Sequence, residues 1–388
     1  MKKCLLTTLL LLLITTNFVY AYPPDNAAVL YYKHMEHFEK PDKAVWDQIR
    51  DLPTSNKPAS EEVKAFIQKQ KNNHLIPELQ IASELEYCDW GLDFSKGFEM
   101  LMPGLQQMKN FHYLLLADSV ILASQGDIAA ALEKNLVVRR MGQHVSNDTL
   151  IGFLVSFSIN RSSNEALSHL LGTYAVDVKT LFELKKELLR ESYRPKPIRH
   201  PLMMEKEVCL TEISKITPER YKNLIADWEK HESSEKLLKL LEKNDPTFLD
   251  RSTVYLEKYY NNILAIMEKP YPQSYLEIGV ASDKLTKVAQ KNDCAVFAAV
   301  FCPALAKCYN HGINWKTHYS ATLTALDVYI ITAKTGKLPE ESPKSTYIDH
   351  FSGKPFIYEV TEDGFALRCR QEDLNKKITH EFKYKLPK

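Results

Sequence analysis

The stretch that decides the fold is Phe356-Ile-Tyr-Glu-Val-Thr-Glu-Asp-Gly-Phe-Ala-Leu-Arg-Cys369, near the end of the chain. Apolar side chains recur at every second position on both sides of Glu362-Asp-Gly364, which is typical of two strands joined by a hairpin turn. A third alternating run covers residues 378–386. The pattern predicts a three-stranded antiparallel sheet with one apolar face.

The rest of the chain has a helical period. An apolar stripe that includes Leu326, Tyr329 and Ile330 ends at Gly336 and predicts a helix against which the sheet packs. Further helices are predicted at 149–171, 176–191, 203–216, 218–230, 248–268 and 285–309, with Gly312 among the residues that punctuate them. The predicted fold is mainly α: an irregular helical bundle with tetratricopeptide-like helix pairing, followed by a small α+β C-terminal module.

Helix starts and stops support this prediction. Asp25-Asn26 can cap one early helix, and Ser60 can begin another. Gln125-Gly-Asp127 follows one apolar stripe and begins the next, and it resembles the turn of a tetratricopeptide-type repeat. Because no second copy recurs at a fixed period, the sequence favours a single helical hairpin within an irregular bundle.

The N-terminus predicts export. Met1-Lys-Lys3 is basic, residues 5–19 are apolar, and Val19-Tyr-Ala21 ends in a small residue, which is typical of a cleaved signal peptide. The alternative, an uncleaved anchor, needs about 20 apolar residues, more than this run has. The predicted organisation is a signal peptide at 1–21, a helical body at 22–312 and an α+β module at 313–388, with an internal linker at 192–201 and no membrane span after cleavage.

The charge balance and the cysteine content narrow the possible classes of protein further. With 50 basic and 49 acidic residues among 388, the chain lacks the basic excess of a nucleic-acid-binding protein. Removal of the signal peptide takes Cys4 and leaves six cysteines, an even number that permits disulfides in an exported chain. Two alternatives stay open: a pairing among Cys294, Cys302 and Cys308, or buried thiols on helices.

Two stretches carry a resemblance to a known family. Leu326-Asp-Val-Tyr-Ile-Ile-Thr-Ala-Lys-Thr-Gly-Lys-Leu-Pro339 and Asp349-His-Phe-Ser-Gly-Lys-Pro-Phe-Ile-Tyr358 resemble the Tyr…Thr-Gly-x-x-Pro…Asp-Pro-x-x-Gly-x-Pro-x-x-Tyr sequence of type II secretion major pseudopilins. That family implies a long helix packed on a small antiparallel sheet. His350 stands where proline is usual, and neither the Gly- and Asp-rich calcium loop nor the Phe-initiated transmembrane helix has a counterpart, so the resemblance implies neither calcium binding nor filament assembly.

The wider chain is similar to a group of exported bacterial proteins of unassigned activity, common in planctomycetes, that join such a module to a helical body. Five short stretches support this similarity: Asn26-Ala-Ala-Val-Leu-Tyr-Tyr32, Trp90-Gly-Leu-Asp-Phe94, Leu101-Met-Pro103, Gln125-Gly-Asp127 and Cys302-Pro-Ala-Leu305. The similarity implies a fold and a compartment, and it leaves the activity open.

Catalytic motifs give little support for an enzyme. The sequence has no Gly-x-Ser-x-Gly elbow, His-Glu-x-x-His motif, phosphate loop or dinucleotide fingerprint. His34 and His37 lie one helical turn apart beside Glu36, but no third metal ligand is suggested nearby. Asp349, His350 and Ser352 are too close in sequence for a catalytic triad and match ordinary turn chemistry.

The segment Cys88-Asp-Trp-Gly91 can also be interpreted in two ways. A cysteine beside an acid lacks the cationic surroundings that lower a thiol pKa, which argues against a nucleophile. Trp90 is expected to pack a loop onto the helices, and adjacent aromatic pairs such as Tyr31-Tyr32 are interpreted as half-buried core rather than a ligand groove.

Two functional hypotheses follow. The first is an exported, non-enzymatic structural or interaction protein with a protein partner at the cell envelope and no cofactor or metal. The alternative is an envelope hydrolase or carbohydrate-active enzyme whose acids are brought together by tertiary structure, with Asp89, Asp93, Glu205 and Glu207 as candidates. Two carboxylates facing each other across a deep cleft would favour the enzyme, whereas an uncharged apolar patch would favour binding.

Overall fold

The computed structural model describes residues 25–100, 102, 104–146, 149–226, 232–302, 305–343 and 346–387. The signal peptide predicted at 1–21, with its Cys4, lies outside these ranges. The described residues include fifteen α-helices: α1 Ala27–Met35, α2 Lys43–Asp51, α3 Glu61–Asn72, α4 Leu75–Glu84, α5 Leu105–Ser124, α6 Ile128–Val145, α7 Leu150–Thr173, α8 Val178–Leu188, α9 Arg199–Lys215, α10 Pro218–Leu224, α11 Glu232–Glu242, α12 Pro246–Ile266, α13 Gln273–Lys291, α14 Val296–Phe301 and α15 Leu305–Thr335. Three strands follow, at β1 Ile357–Thr361, β2 Gly364–Arg368 and β3 Glu381–Lys385.

This architecture confirms the predicted fold class, a mainly helical body followed by a helix and a three-stranded antiparallel sheet. No helix in the described ranges has the length and apolar character that a bilayer span requires.

The helix starts follow from local chemistry that the sequence displays. The side chains of Asn26, Ser60, Asp127 and Thr149 each accept a hydrogen bond from a backbone N–H in the first turn of α1, α3, α6 and α7. These contacts satisfy donors that have no partner inside the helix. The predicted caps at Asn26 and Ser60 are therefore confirmed.

The hairpin between α5 and α6 has a specific turn. Gly126 adopts φ +89°, and its N–H donates to the carbonyl of Ala123, while the N–H of Asp127 donates to the carbonyl of Leu122. This pair of bonds is the Schellman motif, which favours glycine at the left-handed position. Asp127 then caps α6, so one three-residue junction ends one helix and begins the next.

Two predicted helices differ from the structure. The helix predicted at 218–230 ends at Leu224, and residues 227–230 of that prediction lie outside the described ranges. The segment 285–309 is not continuous: α13 ends at Lys291, and α14 ends at Phe301. The side chain of Asn292 accepts from the N–H of Cys294 in a short 3-10 turn, which interrupts the α pattern. Cys302 leaves the helical region at φ −119°, ψ 39°, and it precedes Pro303 in the sequence, where the α conformation is disfavoured.

Gly312 does not end a helix, contrary to the prediction. It lies inside the 31-residue α15, where the position of its missing Cβ is 3.5 Å from the side chain of Ile198 and 3.6 Å from that of Phe153. Close packing of helices, rather than turn formation, therefore accounts for this glycine. The helix also passes without a break through the predicted domain boundary at 312/313.

The predicted linker at 192–201 is packed against the body. Tyr193, Ile198 and Pro201 are buried, and Tyr193 accepts a hydrogen bond from Arg140 of α6 at 2.6 Å. The prolines that suggested a linker instead connect a short 3-10 turn to α9, with Pro201 already inside that helix.

Buried apolar side chains form two clusters that share helices. One cluster lies mainly within α1 to α6, and the other lies mainly between α7 and the sheet. Helices α5, α6 and α7 contribute to both clusters: Ile121, Val137 and Ile159 lie in the first, whereas Ala123, Leu136 and Leu167 lie in the second. These three helices therefore join the two cores.

The sheet has the order β1-β2-β3 and packs one face on α15. The Phe365 ring lies 5.5 Å from that of Tyr329 on α15 and stacks on that of Tyr384, 5.0 Å away on β3. Thr361 pairs with Gly364, so the hairpin loop consists of Glu362 and Asp363, as the sequence predicts.

Substitution of Gly364 by alanine tests this packing. An ideal Cβ at Gly364 would lie 2.0 Å from the carbonyl oxygen of Tyr384, so Gly364→Ala must displace a strand backbone. We expect a loss of about 3 kcal/mol in the free energy of unfolding, measured by urea denaturation. Gly279→Ala is the matched control on α13, where nothing lies within 4 Å, and it should gain about 0.5–1 kcal/mol. Equal effects of the two substitutions would contradict the strand register.

Candidate functional site

The residues singled out as candidate metal ligands do not converge. His34 Nε2 lies 2.8 Å from Glu78 Oε2, and Lys33 Nζ lies 2.7 Å from the same carboxylate. Hydrogen bonding with Lys33, supported by His34, lowers the pKa of Glu78. Glu36 and His37 are exposed at the helix end. Among the described residues, no group of three or more His, Cys, Asp or Glu side chains is placed to hold a metal ion.

Asp349, His350 and Ser352 form a turn. The buried Asp349 carboxylate accepts from the N–H of Phe351 at 2.9 Å, the Ser352 hydroxyl at 2.7 Å and the N–H of Arg370 at 2.9 Å. His350 turns elsewhere, with Nε2 3.1 Å from the Ser320 hydroxyl. Asp349 thus holds the turn against the backbone of Arg370, two residues after β2, and it does not orient a catalytic histidine.

Trp90 packs its loop onto the helices, as expected. Its ring stacks on Tyr31 at 5.6 Å, and its Nε1–H donates to the carbonyl of His144 at 2.8 Å. The argument that Cys88 lacks cationic surroundings needs correction, because Lys196 and His200 line the same cleft of about 470 Å³ as Cys88 and Asp89. The sequence could not show this, since about 110 residues separate the two walls.

The four candidate acids lie in separate surroundings. Asp89 and Asp93 accept hydrogen bonds from their own loops, Asp89 from the N–H of Gly91 and Asp93 from Ser95. Glu205 lies near Cys209 on α9, where burial raises its pKa, and Glu207 is exposed beside Lys206. Among the described residues that line the cleft beside Asp89, none is another of these four acids.

All six described cysteines are thiols, and five of them are buried. Cys302 lies beside Cys209, which is 93 residues earlier in the chain: the Sγ atoms of Cys302 and Cys209 lie 3.4 and 3.7 Å from the hydroxyl oxygen of Tyr260. The hydrogen bond to Cys302 and burial raise the pKa of the Cys209 thiol, which therefore stays protonated at neutral pH. These thiols belong to the core between α9 and α12.

A groove along α7 is a concave surface of the described residues that none of the sequence-based candidates includes. Three adjoining clefts form it, which we call the polar, middle and apolar clefts, with volumes of about 370, 640 and 430 Å³. Glu165, Ser168 and Lys383 line both the polar and the middle cleft, and Leu386 lines both the middle and the apolar cleft. The polar and middle clefts lie between α7 and β3, and α15 contributes to the lining of both the polar and the apolar cleft.

A buried arginine lies behind the polar cleft. Arg139 on α6 is only 1% exposed, and its Nε and Nη2 donate to the side-chain oxygens of Asn135 at 3.2 Å and Asn164 at 2.6 Å. Thr322 on α15 donates to the same Asn164 oxygen at 3.1 Å. Burial lowers the pKa of the guanidinium to about 10, so it remains charged at pH 7. Arg139 makes no ion pair with any described carboxylate.

Two histidines line the polar cleft beside this network. Burial lowers the pKa of His318 on α15 to about 3, so its ring is neutral at pH 7. The ring packs edge-on against Phe382 at 4.8 Å and lies 6.0 Å from that of His380. His318 makes no hydrogen bond to a described residue, which leaves its ring nitrogens available to a ligand.

His380 is held by a buried carboxylate. Asp373 Oδ2 lies 2.9 Å from His380 Nε2, and Asp373 Oδ1 accepts from Asn310 Nδ2 and from the N–H groups of Asn375 and Lys376, each at 3.0 Å. Burial opposes the charge, but these hydrogen bonds outweigh it and lower the pKa of Asp373 to about 2. Asp373 therefore fixes both the His380 ring and the loop that carries Lys376.

Ion pairs surround the rest of the polar cleft. Arg161 pairs with Glu165 at 2.8 Å, and Lys383 pairs with Glu381 at 3.1 Å. Lys376, the third cation in the lining, makes no ion pair within the described residues. The lining thus holds three cations and two carboxylates. Behind it, the charge of the buried Arg139 is offset by that of the ionised Asp373, so the region of the cleft has a net excess of one positive charge.

The apolar cleft has a different character. Its walls are mostly aliphatic and aromatic: Leu171, Tyr174, Val176, Val178, Leu181, Leu386 and Pro387 are among its lining residues. Tyr329 supplies a polar edge, and its hydroxyl donates to the carbonyl of Lys385 at 2.7 Å. The groove therefore has a polar, cationic end and an apolar end.

Sequence reasoning missed this groove. Asn135, Arg139 and Asn164 lie inside helices and form no motif, and His318 and His380 are 62 residues apart. The one local signal was Asp373-Leu-Asn375, an Asx-type turn sequence before the last strand.

Comparisons of the chain with protein-family models, with curated proteins and with solved structures find no match.

The pH dependence of stability tests the role of Asp373. Its folded pKa of about 2 lies below the ordinary 3.8, so its ionisation stabilises the fold above pH 4. That contribution, about 2 kcal/mol, should disappear as the pH falls from 4 to 2. Urea denaturation should therefore show the advantage of the natural chain over Asp373→Asn shrinking by this amount between pH 5 and pH 2. Glu372→Gln, at an exposed neighbour, should show a nearly constant difference, and a constant difference for both variants would contradict the assignment.

Proposed function

We propose that this chain is an exported, non-enzymatic binding protein whose groove along α7 takes an extended segment of a partner protein at the cell envelope. The adjacency of the three clefts, which share lining residues, carries the proposal. From Arg161 to Tyr174, the residue that follows α7, the rise is about 20 Å at 1.5 Å per residue. An extended chain covers that distance with about six residues.

The edge of β3 suits an extended ligand. The carbonyl of His380 accepts from Cys369, and the N–H of Leu386 donates to Asp363, so these two residues point their backbone groups toward β2. Backbone direction alternates along an antiparallel strand, and Glu381 and Lys383 therefore turn theirs away from β2. Such groups can bind a ligand main chain by strand addition, while pockets provide specificity.

The carboxylates of the groove favour binding over hydrolysis. Glu165 and Glu381 each pair with a neighbouring cation. A glycoside hydrolase instead needs one carboxyl that is protonated and another that faces it across the scissile bond.

Screening of a random hexapeptide library with free carboxyl termini tests the proposal. Enriched peptides should bind the full chain and be recovered intact, as judged by isothermal titration and mass spectrometry. Ser168→Trp fills both the polar and the middle cleft and should weaken binding by about tenfold or more, because the peptide loses its path along α7.

Ile151→Trp is the matched control, because it places the same ring at an exposed position near the start of α7. It should bind peptide like the natural chain. Failure to enrich any peptide, or equal loss of binding in both variants, would overturn the proposed function. Cleaved peptides would favour the enzyme instead.

A further inference from the structure

The buried charge of Arg139 has no counter-ion among the described residues. Its two bonded partners, Asn135 and Asn164, are neutral amides, and burial lowers the pKa of the guanidinium without removing its charge at pH 7. Buried charges are ordinarily paired, because an isolated one is costly to remove from water. An anion bound near Arg139 would supply the missing partner.

The orientation of Asn164 directs a donor to the ligand. A guanidinium group can only donate hydrogen bonds, so the atom 2.6 Å from Arg139 Nη2 must be the amide oxygen of Asn164. The Thr322 hydroxyl lies 3.1 Å from the same oxygen and shares its single proton between this oxygen and the carbonyl of His318 at 3.0 Å. The Nδ2 group of this cleft-lining residue is then the donor that remains for a ligand, polarised by the charge behind it.

Further donors surround the same space. Lys376 carries an ammonium group without an ion pair among the described residues, and the neutral His318 can donate from one ring nitrogen. A carboxylate fits this set better than a neutral group, because it accepts several charge-assisted hydrogen bonds at once. The apolar cleft at the other end of the groove has no comparable cation among the described residues of its lining.

We propose that the polar cleft binds the terminal carboxylate of the segment in the groove, so that the ligand is the C-terminus of a protein. The inference rests on the proposed function. Asn164 and Lys376 bind the carboxylate, Arg139 supplies charge behind Asn164, and apolar side chains upstream in the peptide occupy the apolar cleft.

Acetate is the first probe, because it tests the carboxylate site without any peptide. Sodium acetate that replaces sodium chloride at constant ionic strength should raise the melting temperature of the natural chain. Asn164→Asp provides Arg139 with a permanent carboxylate, so this variant should melt at a higher temperature than the natural chain and gain nothing from acetate. Acetate stabilisation that persists in Asn164→Asp, or none in the natural chain, would overturn the inference.

Paired peptides are the second probe. Hexapeptides from the enriched pool, made with a free carboxyl or with a terminal amide, should differ in affinity by about tenfold in favour of the acid. Lys376→Gln should reduce this preference several-fold and leave the melting temperature unchanged. Lys377→Gln, at the adjacent exposed lysine outside the groove lining, should keep the full preference.

The two proposals fail separately. Equal affinity for acid and amide would overturn the carboxylate site while the groove remains a peptide site. Binding of no peptide would overturn the proposed function, and the acetate result would then decide the carboxylate site alone.

Discussion

The hydrogen bonds of Arg139 tie together the three helices on which the groove depends. The guanidinium of α6 binds Asn164 of α7, and Thr322 of α15 binds the same oxygen. Asn135 also accepts from the hydroxyl of Ser163 and donates to its carbonyl, which repeats the connection between α6 and α7. Because a buried donor without an acceptor costs about 1–3 kcal/mol, a shift of either helix would leave several groups unsatisfied at once. The network therefore fixes the helix register more tightly than apolar packing alone.

That register determines what lines the groove. Residues three or four positions apart lie on one helix face, so fixing Asn164 places Arg161 and Ser168 along the groove. The same spacing on α15 places His318 one turn before Thr322. The buried hydrogen bonds therefore also determine which side chains line the accessible cleft. A substitution that gives Arg139 a carboxylate partner within the protein, such as Asn164→Asp, would keep the helices in place. The guanidinium charge would then no longer need a bound anion as its partner.

The sequence predicts those parts of the fold that depend on neighbouring residues. Caps at Asn26 and Ser60, the junction at Gly126 and the hairpin before Gly364 are local, and the structure contains each of them. Gly312 misled the prediction because a glycine that ends a helix and a glycine that admits a packed neighbour look alike in one sequence. The distinction requires knowing that Ile198 and Phe153 lie opposite.

The groove could not be predicted for a similar reason. Arg139 is followed by Arg140, and the sequence gives no sign that the first is buried while the second reaches Tyr193 and Glu133 at the edge of the body. Asn164 and Thr322 are polar residues within helices, which would ordinarily be assigned to the solvent-facing side. Their pairing across 158 residues arises only when α7 and α15 meet.

The outer edge of β3 is the part of the groove at which we propose that a ligand strand binds. An uncovered strand edge invites uncontrolled pairing, and proteins usually protect it. Here α7 covers one end, where the position of a Cβ on Gly172 would be 3.1 Å from that of Lys385. At Ser168 and Glu165 the two elements separate and the groove opens. Cations and the amide of Asn164 stand beside this open part of the edge. A strand that adds there, as we propose, would bring a group that accepts hydrogen bonds from them, and the contact at Gly172 would limit how far the added strand extends along β3.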